Sequence, residues 1–186
     1  MTVLVFLLEE PSAKIMLEGV LPRVLPPEVD VHYIVFEGKQ DLHKRMVMRM
    51  QYWQKPNSRF IVLRDQDSAD CHQVRQELAQ LCTQAGKPDA LVRIACHELE
   101  SFYLGDLSAV ERGLGMKGLA RLQNRHKYRV PDSLANASEE LRKLTQLVYQ
   151  KVAGSRAISP YLYVDGSNRS HSFNVLIDGI RRLITI

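Results

Sequence analysis

Short apolar runs alternate with stretches of helical period along the first half of the chain. Thr2 to Leu8 (TVLVFLL) is almost wholly apolar and rich in β-branched and aromatic residues, the pattern of a strand covered on both faces. After Pro11-Ser12, residues Ile15, Met16, Gly19 and Val20 fall at helical spacing, and prolines at 22, 26 and 27 close that segment. Val31 to Phe36 (VHYIVF) reads as a second strand. A helix is predicted from about Asp41 to Trp53, with Leu42, Met46, Met50 and Trp53 on one stripe and Lys44, Arg45 and Arg49 on the other side. Pro56-Asn57 breaks it, and Phe60 to Leu63 (FIVL) is the third strand. A long helix from about Ala69 to Ala85 carries Val74, Leu78, Leu81 and Ala85 at helical spacing, and Ala90 to Cys96 (ALVRIAC) is the fourth strand.

Strands alternating with helices imply βαβ units. The expected class is therefore α/β: a Rossmann-like, mostly parallel four-stranded sheet flanked by helices. After Asp106 the strand signal fades. Ser138 is placed to cap a helix with the stripe Leu141, Leu144, Val148 and Val152. A last helix sets Phe173, Leu176, Ile177, Ile180 and Ile184 on one face, with Ser170 or Ser172 as its N-cap. The expected organisation is a single domain over 1–186, in which 1–105 form the α/β core and 106–186 a mainly helical part packed on it.

At 186 residues, with 45% hydrophobic and 25% charged, the chain is long enough to bury a core without disulfides and is neither disordered nor fibrous in composition. Cys71, Cys82 and Cys96 are odd in number, widely spaced and without a CxxC, which fits neither a disulfide framework nor a zinc ribbon and points to a reducing compartment. The apolar run Val3 to Leu8 is too short to span a bilayer and lacks a preceding basic stretch. The expectation is a cytoplasmic protein with no signal peptide and no membrane association. The formal charge of +4 is too small to decide on a polyanionic partner.

The acidic residues change the picture more. Ligands of open parallel sheets gather at the carboxyl ends of the strands. The first predicted strand runs into Glu9-Glu10, the third into Asp65-Gln-Asp67, and the fourth into Glu98-Leu-Glu100. Parallel strands lie about 4.8 Å apart, so these clusters can converge. Several carboxylates in one volume repel, and a divalent cation removes that penalty. Oxygen donors without a nearby His pair suit Mg²⁺ or Mn²⁺ rather than zinc. Each acid has a plainer explanation alone: Asp67 as a helix N-cap, Glu9 or Glu10 as company for a helix dipole, Glu98 and Glu100 as a solvated face. Capping does not require three acidic clusters at three equivalent strand ends.

The layout resembles the Toprim fold of primases, type II topoisomerases and OLD-family nucleases, in which a Glu after the first strand and a D-x-D after a later one jointly hold Mg²⁺. The strings LLEEPSAKIMLE, VFEGKQDL, FIVLRDQDSADC, LVRIACHELESFYLGDL and the late SHSF more specifically resemble the bacterial family DUF4276, regarded as Toprim-like and often encoded beside an ABC/AAA-type ATPase. The resemblance implies Glu9, with Glu10 as the adjacent alternative, as the first-strand acid. It implies Asp65 and Asp67 as the D-x-D, and Glu98 and Glu100 as the later acidic pair. Two departures stand out: Glu10 occupies the place where many Toprim sequences have Gly, and Asp70 sits one position too far along for the third Asp of a D-x-D-x-D. Both tell against topoisomerase activity more than against metal binding.

Basic residues are segregated. Lys39 to Arg59 and Glu111 to Arg129 each carry a net charge of +5, a rim that would attract phosphates toward an acidic metal centre. Lys39 is favoured because Phe36-Glu37-Gly38-Lys39 puts it at a strand's carboxyl end; Arg121, Arg125 and Lys127 are the candidates of the second stretch. Cys96-His97-Glu98 lacks the spacing of a zinc site, and Cys71-His72 diverge on a helix. The expected function is a Mg²⁺-dependent nuclease or phosphodiester-processing protein of Toprim type, in bacterial defence or repair, with catalytic residues Glu9, Asp65 and Asp67. The alternative is a non-catalytic metal- or phosphate-binding regulatory partner of an ABC/AAA-type ATPase. A HAD-type phosphohydrolase fits less well, because its D-x-D lies on the first strand.

Overall fold

The computed structural model describes residues 2–185; Met1 and Ile186, the two ends of the expected 1–186 domain, lie outside the described residues. In chain order the elements are β1 (Val3–Leu8), α1 (Pro11–Val20), β2 (Asp30–Val35), α2 (Lys39–Gln51), β3 (Ser58–Asp65), α3 (Cys71–Gln84), β4 (Leu91–Ala95), α4 (Ser101–Leu104), α5 (Leu107–Gly113), α6 (His126–Arg129), α7 (Ala137–Leu144), α8 (Lys151–Ile158) and α9 (His171–Thr185). The protein is α/β. Its sheet has the order β2-β1-β3-β4, and every pairing is parallel.

β1 is apolar at every position because it is central and covered on both faces, and its side chains alternate between two cores. Val3, Val5 and Leu7 join Phe60 and Val62 of β3 under Leu42, Met46 and Met50 of α2 and Val74, Leu78 and Cys82 of α3. Leu4, Phe6 and Leu8 join Ile61 and Leu63 under α1, α9 and the rest of the helical second half. α9 lies against β4, and Arg93 donates from Nε to the Val175 carbonyl at 3.2 Å.

The order 2-1-3-4 creates a topological switch. The chain leaves β1 toward β2 through α1 on one face, whereas β3, on the other side of β1, continues through α3 on the opposite face. The crevice at the carboxyl ends of β1 and β3 is where open α/β sheets take ligands. Leu8 pairs with Leu63 and Asp65 with Ala95, so Glu9-Glu10, Asp65-Asp67 and the acids after β4 all emerge at this end.

Helix ends follow local chemistry. Gly38 precedes α2 at φ 93, a left-handed conformation that Gly adopts without strain. Asp70, not Asp67, caps α3, accepting the Gln73 N–H at 2.8 Å. Ser170 caps α9, as expected, accepting the Phe173 N–H at 3.2 Å. The expected helix from Ser138 to Val152 is instead two helices. Its first residue is Ala137, with no side-chain cap. Past Leu144, Thr145 turns its hydroxyl back to the Leu141 carbonyl (2.8 Å) and accepts the Tyr149 N–H (3.1 Å). Gln146 and Leu147 take positive φ, which leaves Leu147 and Val148 exposed and buries Tyr149. Burial of a larger ring overrode a continuous aliphatic stripe. No described helix is long and apolar enough to cross a membrane.

Candidate functional site

The two-residue period of the strands divides the acids. Leu63 faces the α1 and α9 side, so Arg64 points to the α2 and α3 side and Asp65 back again. Glu9 continues the direction of Leu7, and Glu10 that of Leu8. Neighbours in sequence therefore serve two half-sites, joined where the Asp65 N–H donates to Glu9 Oε2 at 3.2 Å.

On the helical side stand Asp65, Glu10 and Glu100. Burial first, then the charges of Glu10, Glu100 and Glu9, lift Asp65 well above the ordinary carboxylate range, against the pull of a hydrogen bond from the Leu99 backbone. Glu100 opens α4 and is 1% exposed. Its Oε1 accepts from the Tyr149 hydroxyl at 2.9 Å, while its Oε2 is buried with no hydrogen-bond partner among the described residues. Burial raises its pKa too, although Lys151 opposes this. Lys151, at the start of α8, donates to both Glu10 oxygens at 3.2 and 3.1 Å. Burial pulls the Lys151 pKa down, but Glu100 and Glu10 carry it above its usual value. Glu10 also accepts from Ser12 Oγ at 2.5 Å.

On the other side stand Glu9, Arg64, Asp67, Lys39 and His43. Burial lifts the Glu9 pKa, and nearby Asp67 adds to the lift, while the Asp65 N–H and Arg64 work against it. Arg64 Nε lies 3.7 Å from Glu9 Oε2, and its other end lies 3.9 Å from Asp67 Oδ2. Lys39 Nζ reaches the same Asp67 oxygen at 2.8 Å. The D-x-D is held by the loop after β4: the Asp67 N–H donates to the His97 carbonyl at 2.8 Å, and the His97 N–H to Gln66 Oε1 at 3.2 Å. Asp67 and His97 both sit in the left-handed region, at φ 57 and φ 58, so each turn supports the other.

The remaining expected residues go elsewhere. Glu98 turns away and accepts the Ser138 N–H at 2.7 Å, satisfying an amide in the first turn of α7. Lys127 pairs with Glu140. Arg121, Arg125 and Lys127 are exposed, and among the described residues no hydrogen bond or ion pair links them to the acidic strand ends. The sequence reading missed Arg64, Tyr149 and Lys151. A charged residue inside the apolar run FIVLRD was a usable signal for Arg64. Nothing local marked Tyr149 or Lys151, which reach the site only through the break between α7 and α8.

Among the described residues, no three His, Cys, Asp or Glu side chains are grouped to hold a metal ion. In kind, the donors suit a hard cation: Glu100 Oε2 has no hydrogen-bond partner among the described residues, and burial disfavours the charged forms of Asp65, Glu9 and Glu100, a penalty that a cation would relieve. Asp65, Glu10 and Glu100 would have to draw together to hold it, with Glu9 standing on the other side. Lys39, Arg64 and Lys151 now neutralise part of that charge.

A family model described as "Domain of unknown function (DUF4276)" matches residues 8–181. No curated protein and no solved structure matches the chain.

Proposed function

The chain belongs to the DUF4276 family, and on that premise we propose that it is a Toprim-like protein that processes nucleic-acid phosphodiesters with Mg²⁺ or Mn²⁺. The observation that carries the reading is the contact of Asp65 with Glu9 at the β1/β3 switch point, where burial and neighbouring acids oppose ionisation. A divalent cation bound there would polarise the phosphoryl oxygens and lower the pKa of the attacking water. Asp65, with Glu10 and Glu100 behind it, provides the oxygen donors. Glu9 faces the same crevice and would take the proton of the water. Lys39 and Arg64 would steady the phosphate once released from Asp67. Tyr149 holds Glu100 through its hydroxyl and acts on the site through that carboxyl.

The test is incubation of the purified protein with plasmid, single-stranded DNA and RNA in the presence of Mg²⁺ or Mn²⁺. Cleavage is expected, and Asp65→Ala should lower its rate at least about a hundredfold, as loss of a group acting only in the transition state does. Cleavage that persists in Asp65→Ala places the activity at another site.

A second reading draws on the internal ion pairs. Asp67 is held by Lys39 and Glu10 by Lys151, an arrangement that suits a module which binds metal or phosphate and regulates an ABC/AAA-type ATPase without turning over. Absence of cleavage with every metal and nucleic acid, together with a stable complex with such an ATPase, would favour it.

A further inference from the structure

Beside the acidic strand ends, on the α2 face of the sheet, lies an open cavity of about 580 Å³ lined by Lys39, Gln40, His43, Lys44, Arg64 and Glu77. We propose that this cavity is a phosphate-binding site, seating a phosphoryl group of a nucleic acid against the guanidinium of Arg64; the proposal rests on the function proposed above and assigns the substrate's phosphate to a place.

Arg64 is the central observation. It interrupts an apolar strand, is only 6% exposed, and still lines the cavity. One NH group meets His43 Nε2 at 3.0 Å, but its Nε–H has no hydrogen-bond acceptor among the described residues. Glu9 at 3.7 Å and Asp67 at 3.9 Å are near enough for attraction and too far for hydrogen bonds. Buried guanidinium groups are normally satisfied; here the Nε–H turns toward Glu9 without bonding it, and the guanidinium, part of the cavity lining, keeps donor capacity for an anion that enters. Arg64 can only donate, so His43 Nε2 accepts in that contact and the ring is neutral; burial together with the Arg64 charge holds its pKa down.

The surroundings suit a tetrahedral anion. Three cations (Lys39, Lys44 and Arg64) face one carboxylate, Glu77, within the lining. α2 is thirteen residues long, and its N-terminus, behind Gly38 at φ 93, has no side-chain cap, so its dipole adds to the field over the cavity. Lys39 is exposed and can swing from Asp67 to an entering oxygen. A guanidinium with two ammonium groups offers donors in several directions, which a phosphate uses more fully than a planar carboxylate does. Glu9 and Asp67 flank the same guanidinium, so a cation that draws them away should tighten phosphate binding, and phosphate should tighten the cation equally.

The experiment titrates inorganic phosphate into the protein in EDTA at constant ionic strength, read by calorimetry and by ³¹P line width, with chloride as control. Wild type should bind, Lys44→Ala should weaken binding about threefold, Arg64→Lys about tenfold or more, and Lys143→Ala, an exposed cation on α7, not at all. Lys44 is exposed, so its variant remains informative if Arg64→Lys fails to fold. A 5′-phosphorylated tetranucleotide is then compared with its 5′-hydroxyl form and with a mononucleotide. Preference for either tetranucleotide supports the proposal and separates a terminal from an internal phosphate, whereas tighter binding of the mononucleotide removes the nucleic acid from it. Phosphate binding no stronger than chloride, or unaffected by both Lys44→Ala and Arg64→Lys, overturns it. The readout needs neither metal nor cleavage, so a failed nuclease assay leaves this site standing, and cleavage indifferent to Arg64 refutes this site alone.

Discussion

Asp65 concentrates the electrostatic problem of this molecule in one side chain. It closes a strand that is otherwise buried from Phe60 onward, and it faces Glu10 and Glu100 across the crevice with only part of their charge offset by Lys151. A carboxyl whose pKa is raised on folding stabilises the fold below its unfolded pKa, near the ordinary 3.8, and loses that contribution as pH rises through its folded value. Glu9 and Glu100 are raised as well and act in the same direction. The melting temperature of the metal-free protein should therefore fall as pH climbs above the ordinary carboxylate range. Asp65→Asn should flatten that slope and exceed wild type in stability at the upper end. Each unit by which the Asp65 pKa is lifted corresponds to about 1.4 kcal/mol there. Scanning calorimetry across that rise in pH, in EDTA, is the check; an Asn variant less stable than wild type at high pH would contradict the assigned burden.

At the level of elements, α8 decides the quality of the site. It starts with Lys151 and is separated from α7 by the turn that buries Tyr149. A Cβ at Gly154 would overlap the Tyr149 ring. Helix propensity alone makes Gly154→Ala favourable by about 1 kcal/mol. Overpacking against a fully buried ring costs about 1–3 kcal/mol, and displacing Tyr149 would also break its hydrogen bond to Glu100, leaving that buried carboxyl without a side-chain hydrogen-bond partner among the described residues at a cost of about 1–3 kcal/mol. Sterics should win: urea unfolding is expected to show a net loss of about 2 kcal/mol or more, and a stabilised variant would mean that α8 slides freely over Tyr149.

For the molecule as a whole, the topology gathers acids from three strand ends into one crevice, and the folded state alone has that arrangement. A cation that binds there stabilises only the folded protein, by about 2.7 kcal/mol at a hundred times its dissociation constant. Millimolar Mg²⁺ or Mn²⁺ should raise the melting temperature. The double change Asp65→Asn with Asp67→Asn should remove the increase, because it takes one carboxylate from each half-site. An unchanged metal response in the double variant would locate the cation elsewhere.

The sequence by itself determined the sheet, its flanking helices and the end of the sheet where the acids collect. Those features are written locally: continuous apolar runs for β1 and β3, a period of 3.6 for α2, α3 and α9, with Asp and Glu placed directly after the apolar runs. It also held, unread, the division of Glu9 from Glu10 and of Arg64 from Asp65, since adjacent residues at a strand end project to opposite faces. Only the tertiary structure decided how each acid is satisfied. Glu98 went to the first turn of α7, Asp70 took the capping role that Asp67 was free to leave, and Glu100 became a buried acid held by Tyr149. The partners Tyr149 and Lys151 come from about fifty to a hundred and forty residues away. They arrive there because burying Tyr149 outweighed continuing an aliphatic stripe through Val148, a competition between long-range packing and local pattern that no window of the chain contains.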